Sequence, residues 1–332
     1  MRKSAIVIGF GAFFVTMALL LKFYAYPNLA VIPKDQNTGQ TLSDPDAYFF
    51  NANTLKFNRG ELVTKLAVVV NKELTKKAGG NTLVIDQWQY SNTPGDAAAG
   101  KPPMEAYHAQ FAINRKTGLP VKYADDNQDN IPTTHEGYTI KFPFGLKKNK
   151  SYAYWDTTLE KAIPLKYSGT QTIDGMETYK YTVDIPTTVY EKYEVPGFLF
   201  GLGQSSPGQN ADRTYANQRT IWADPVTGVF MKVQENQTQT VEIPGHAPVT
   251  VLKTDTVMDP STVKANVDEY KTKATQLKAL IAAPVILGIL GVLLIVGGIV
   301  WAVMAAGRRP EDDADGGGVS LRKNDDTFVE ET

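Results

Sequence analysis

Oxygen donors are densest in Ala124-Asp-Asp-Asn-Gln-Asp-Asn130, where Asp125, Asp126 and Asp129 could approach a calcium ion. The run lacks the central glycine and the distal bidentate Glu of a helix-loop-helix calcium loop, so it reads as a solvated acidic turn. His108, His135 and His246 are the three histidines, and none lies four residues or a short loop from another. That spacing builds no zinc cage without carboxylates converging from afar, and each reads as a surface or turn residue. The chain has no cysteine, which removes thiolate nucleophiles, thiolate metal sites, disulfides and an acylated lipoprotein Cys. No Gly-x-Ser-x-Gly elbow, HExxH helix or Walker-type loop occurs, so serine hydrolysis, zincin chemistry and nucleotide hydrolysis lack their parts. The expectation is a non-enzymatic protein with no catalytic residue, cofactor or metal.

The residues left with something to do are apolar. Val195-Pro-Gly-Phe-Leu-Phe-Gly-Leu-Gly203 is punctuated by glycine and followed by a polar loop from Gln204 to Asp212. A loop of this composition packs as core, touches a membrane surface, or lines a cavity for a lipid. Phe198, Leu199, Phe200 and Leu202 from this loop, with Trp222, Tyr107 and Phe111 from neighbouring strands, are the candidate contacts for a hydrophobic ligand or membrane. Phe142-Pro-Phe-Gly145 and Ser151-Tyr-Ala-Tyr-Trp-Asp156 form a second aromatic group with the same readings.

These side chains need a β scaffold. From about residue 26 to 260, turn signals separate short β-branched and aromatic runs, the pattern of an antiparallel sheet, sandwich or open barrel. Strands are expected at 82–90, 106–113, 119–123, 151–155, 163–172, 177–185, 214–223, 229–235 and 249–257. Tyr179, Tyr181, Val183 and Ile185 alternate, so one face is buried and the other wet. Glu61 to Leu74 fits a helix or a strand. Ala112–Lys122 and Trp222–Lys232 echo each other as strand, turn, strand, with Asn114 or Asp224 opening the turn and Gly118 or Gly228 closing it. The echo fits two related modules or two independent hairpins. Over 261–278, Val263, Val267, Tyr270, Ala274 and Leu277 share one helical face, which predicts an amphipathic helix beside the membrane.

Both flanks are apolar. Ser4 to Leu21 is uncharged, follows Arg2 and Lys3, and runs longer than a secretory signal core, which predicts an uncleaved anchor within residues 1–25. Residues 279–307 are uncharged and precede Arg308 and Arg309, with Pro284 expected to start or kink the helix. Arg2 and Lys3 at one end and Arg308 and Arg309 at the other put both termini in the cytoplasm and the β domain outside the cell (inner) membrane. Gly288, Gly291, Gly297 and Gly298 make one side of the second helix small enough for close approach to Gly9 and Gly11. Residues 308–332 are acidic and glycine-rich, the composition of a disordered tail. A net charge of −1 removes nucleic acid as a leading partner. Membrane lipids, and another envelope protein, remain.

Phe23-Tyr-Ala-Tyr-Pro27, Val31-Ile-Pro33, Phe142-Pro-Phe with Tyr154-Trp-Asp156, Gly175 with Tyr179, and the closing apolar helix resemble an actinobacterial envelope family of unknown function, sometimes labelled porin PorA. The resemblance implies a membrane-anchored extracytoplasmic domain with no established activity. A porin label does not follow from the residues themselves, because outer-membrane barrels cross with strands and this chain has two helical spans. The layout is also similar to that of class B scavenger receptors, whose two anchors bracket a lipid-handling ectodomain. Three functions are carried forward: lipid binding or handling by the β domain, a scaffold for another envelope protein, and a porin-like channel component.

Overall fold

The computed structural model describes residues 2–307; the expected tail, with Arg308 and Arg309 from which the topology was read, lies outside the described residues. The chain divides into two units. One comprises residues up to Leu19 together with those from Val285, and the other is Leu20–Pro284.

In the first unit, helix α1 (Arg2–Leu20) packs on the end of helix α5 (Pro260–Ala306). Each is long and apolar enough to cross a bilayer. Their contact is made by glycine: a Cβ added at Gly291 would stand 2.8 Å from the Gly11 carbonyl oxygen. Gly298 meets Ile8 in the same way, whereas Gly9 and Gly297 have nothing within 4 Å. Small residues thus let the two backbones touch, which is how apolar helices gain packing where no hydrophobic gradient exists between them.

In the second unit α1 continues through a π-helical turn, Leu21–Ala25, into the short α2 (Tyr26–Leu29). The sheet strands are β1 (Asn37–Asn51), β2 (Lys56–Val70), β3 (Thr82–Asn92), β4 (Glu105–Asn114), β5 (Asn127–Gln128), β6 (Ile131–Pro132), β7 (Tyr152–Asp156), β8 (Lys161–Ile173), β9 (Met176–Val195), β10 (Gln209–Ala223), β11 (Phe230–Glu242) and β12 (Val249–Met258). All neighbouring pairs are antiparallel, in the order β6-β5-β4-β3-β2-β1-β12-β11-β10-β9-β8-β7. Two short helices, α3 (Lys72–Ala78) and α4 (Pro94–Ala98), cap loops; Asn71 and Thr93 accept the first free amides of each.

The sheet bends round until its ends meet without pairing. The His135 ring stacks on Phe111 of β4 at 4.6 Å and on Trp155 of β7 at 4.8 Å, and Gln128 of β5 donates to the Thr157 carbonyl just beyond β7. Bulges supply the bending. Pro45 sits in the register shift of β1, and Pro186 in that of β9, where a residue without an amide hydrogen costs no ladder bond. The gap is spanned by the segment 133–146, which runs over the tips of the two echoed turns. Phe142 donates to the Gly228 carbonyl, Gly145 to Val226 and Leu146 to Pro225.

Both turns have one geometry: Gly118 donates to Asn114 and Gly228 to Asp224 at 2.8 Å, each glycine at φ +78°. After the first turn the echo fails. Residues 119–123, expected as a strand, make only an isolated bridge at Pro120, which has no amide to continue a ladder. Glu61–Leu74 resolves into strand to Val70 and then α3, and β1 is an element the sequence did not announce. The amphipathic face of α5 packs as expected, with Val267, Ala274 and Leu277 buried beside Met176, Val226 and Met231. Pro284 lies inside α5, which continues past it.

Candidate ligand cavity

Period-2 alternation turns one side of each strand inward, and those inner side chains do not fill the space they enclose. A cavity of about 890 Å³ is lined by Leu62, Thr64 and Leu66 of β2, Gln87 and Gln89 of β3, Tyr107 of β4, Arg213 and Arg219 of β10, and Glu235, Gln237 and Gln239 of β11. A second, apolar chamber of about 440 Å³ is bounded by Leu29, Val31, Ile32, Phe144, Leu277 and Leu280. Thr38, Gln40, Val68, Ile140 and Phe230 line both spaces, so the two chambers adjoin across these side chains.

The larger chamber is polar because charge is built into its wall. Arg219 lies 2.7 Å from Asp156 and 2.6 Å from Glu235, with its guanidinium 4.7 Å from the Tyr154 ring centre. Asp156 is fully buried and also accepts from the Tyr215 hydroxyl. Burial alone would lower the Arg219 guanidinium, but Glu235, Tyr215 and Asp156 carry it well above the ordinary arginine value. Burial pushes the Tyr154 phenol up to about 12, opposed by Arg219, and holds the Tyr107 and Tyr215 phenols protonated well above the ordinary range. The wall therefore presents neutral hydroxyls, amides and an ion triad in which one guanidinium serves two carboxylates. Arg213 extends it, paired with Glu191 at 3.0 Å and stacked near Tyr190 and Tyr193. Gln128 Oε1, Thr139 Oγ1 and Gln239 Nε2 are buried and have no protein partner for those atoms, leaving polar positions for a guest to satisfy.

The smaller chamber contains no carboxylate in its lining. Lys141 is its buried cation, 5% exposed, held by the bridge of its backbone to Val229. Its Nζ has no hydrogen-bond partner and rests 3.7 Å from the centre of the Phe144 ring. Burial lowers this amine to about 7, against the weaker pull of Asp224.

Of the seven residues expected at a hydrophobic site, the cavity brings together Tyr107 and Leu199. Phe200 is buried behind the cavity wall in a cluster with Val195, Ala211 and Val241, and Phe198 lies near Phe50, ring centres 6.3 Å apart. Leu202 is 41% exposed. Phe111 packs in the core with Leu83 and Ile85. Trp222 has the parity opposite to Arg219 and Tyr215, donates to Gln171, and is covered by Lys180 and Lys232. His135 corrects the surface-or-turn reading: it is 4% exposed and bonded to Asp126, whose carboxylate also caps the His135 amide. Asp126 is thus engaged in the fold, while Asp129 accepts from the His108 amide. The sequence reading passed over Arg219, Asp156, Glu235 and Lys141. The signal available for Arg219 was Arg213-x-Tyr215-x-Asn217-x-Arg219, a same-face series too large and polar for a packed core.

A family model described as Porin PorA matches residues 3–300. The chain belongs to the porin PorA family. The resemblance read from the aromatic and membrane-proximal residues is thereby shown. Two relatives carry the name Porin PorA: one from Corynebacterium amycolatum, 24% identical over 69% of this chain and 75% of its own length, and one from Corynebacterium resistens, 26% identical over 58% and 65%. The chain thus spans slightly under two thirds of the second relative.

Proposed function

We propose that this PorA-family chain is a non-enzymatic cell-envelope protein that binds a lipid or another hydrophobic molecule inside its sheet. The observation that carries the reading is the adjoining pair of chambers, one apolar and one polar, which suits an amphipath with its chain in the first and its head in the second. The two apolar helices serve as inner-membrane anchors, with both termini cytoplasmic and the sheet outside. The outward face supports a sheet in water: Glu61, Lys65, Asp184, Gln218, Asn236, Lys253 and Asp255 are exposed on it. A membrane-spanning barrel needs the reverse pattern, since a Lys or Arg facing lipid at the midplane costs about 2–4 kcal/mol. A scaffold needs a filled core, and the unfilled interior counts against it.

A second reading follows from the name of the relatives, a porin-like channel component, and the polar wall of the larger chamber favours it. Two measurements on the full-length protein separate the readings: conductance in planar bilayers, and quantification of lipid retained after purification. Stoichiometric retained lipid without conductance supports ligand handling. Stable unitary conductance with no retained lipid supports the pore and ends the ligand reading.

A further inference from the structure

Inside the apolar chamber the chemistry is one-sided. Its polar groups are amides, hydroxyls and the amines of Lys141 and Lys273; Lys273 is already paired with Glu269 at 2.7 Å. Asp224, the carboxylate nearest in effect to Lys141, spends Oδ2 on the Thr227 amide and hydroxyl. Lys141 is therefore an amine buried in apolar surroundings with an aromatic face against it and no carboxylate hydrogen-bonded to it, Asp224 acting on it only through space. A buried ammonium is costly unless an anion meets it. Its backbone is fixed between the Gly118 turn and Val229, so it does not withdraw to solvent with a loop.

We infer that the apolar chamber is a site for a single-chain lipid bearing one anionic group, carboxylate or phosphate monoester, which pairs with Lys141 while the chain lies among Leu29, Ile32, Phe144, Leu277 and Leu280. The inference rests on the ligand-handling reading and specifies what the smaller chamber takes. A neutral ester of the same chain offers Lys141 no counter-charge, so the site discriminates by charge rather than chain length.

The test uses the full-length protein in zwitterionic nanodiscs with a photoactivatable palmitic acid and its methyl ester, and labelled peptides mapped by mass spectrometry. The acid is expected to label peptides holding Lys141, Phe144 or residues 270–280 at least tenfold more than the ester. Lys141→Met abolishes that preference and Lys141→Arg retains it. Competition by unlabelled palmitate or by lysophosphatidate then separates the carboxylate from the phosphate. Equal labelling of the chamber by acid and ester, or a preference that survives in Lys141→Met, overturns the anionic site and leaves the ligand-handling reading standing. No labelling of either chamber by either probe overturns both. Lys141→Met removes a buried charge and is expected to fold, which its melting curve checks independently.

Discussion

Replacing Lys141 with Met is expected to stabilise the sheet unit, and the size follows from its surroundings. Lowering the amine from 10.5 to about 7 corresponds to a cost of about 5 kcal/mol at neutral pH and below, at 1.36 kcal/mol per pH unit. The contact with Phe144 offsets part of the penalty of burial and is lost with the amine; a desolvated cation–π contact is worth about 2 kcal/mol. The net expectation for Lys141→Met near pH 6 is a gain of about 2–4 kcal/mol, a rise in midpoint of several degrees for a unit of this size. The pH dependence has a definite sign. Between about pH 7 and 10.5 the unfolded chain holds a proton that the folded chain has released, so this group makes wild-type stability rise with pH across that window. Below about 7 its penalty is fully present, and above the unfolded value it is gone. Thermal unfolding in detergent from pH 6 to 10, followed by tryptophan fluorescence, reads both effects. A variant that melts lower than wild type at pH 6, or that keeps the wild-type slope between pH 7 and 10, refutes the reasoning.

Other outcomes follow from contacts of the same kind. Arg219→Met leaves the fully buried Asp156 and the half-buried Glu235 without their cation and is expected to destabilise by about 3–5 kcal/mol, partly recovered by adding Asp156→Asn; denaturant midpoints check both. Gly228→Ala must fit a methyl group against the Phe142 carbonyl at φ +78°, whereas Gly145→Ala at φ +69° has open space around it. The second is expected to cost about 1–2 kcal/mol from backbone conformation alone and the first clearly more, read as paired melting midpoints. An added Cβ at Gly288 would lie 3.9 Å from Ala18 Cβ, within disulfide range, and the chain has no other cysteine. The pair Ala18→Cys and Gly288→Cys is expected to crosslink under oxidation, and Gly291→Leu, which collides with the Gly11 backbone, is expected to suppress it.

Legibility in the sequence depended on whether an element had two unlike faces. β9 was readable because Tyr179, Tyr181, Val183 and Ile185 alternate with polar residues, and α5 because its apolar stripe packs on one core. β1 was missed because Gly39 and Pro45 look like breaks, yet in the fold Pro45 occupies a bulge and Gly39 pairs with Ala67. The cavity wall was missed for a deeper reason. In β11, Glu235, Gln237 and Gln239 face inward while Gln234 and Asn236 face outward, so a polar interior erases the alternation that reveals a strand's buried side. The glycine-rich loop was open to core, membrane contact or cavity lining, and a single turn of 3-10 helix divides these roles: Phe200 is buried in a core cluster, Leu199 packs on that cluster and also borders the cavity, and Leu202 is exposed. Lys141 carried no sequence signal at all. Its burial comes from the crossing of 133–146 over two distant turns, a long-range register that local composition does not encode.

The most direct test of the central claim is native mass spectrometry of the full-length protein released from detergent, with the bound species identified. A single amphipathic molecule retained at one copy per chain, and diminished by Val68→Trp, which takes up space where the two chambers adjoin, is the predicted result. An unliganded chain that binds no added lipid, or a retained lipid indifferent to Val68→Trp, contradicts the claim that the sheet encloses a ligand site.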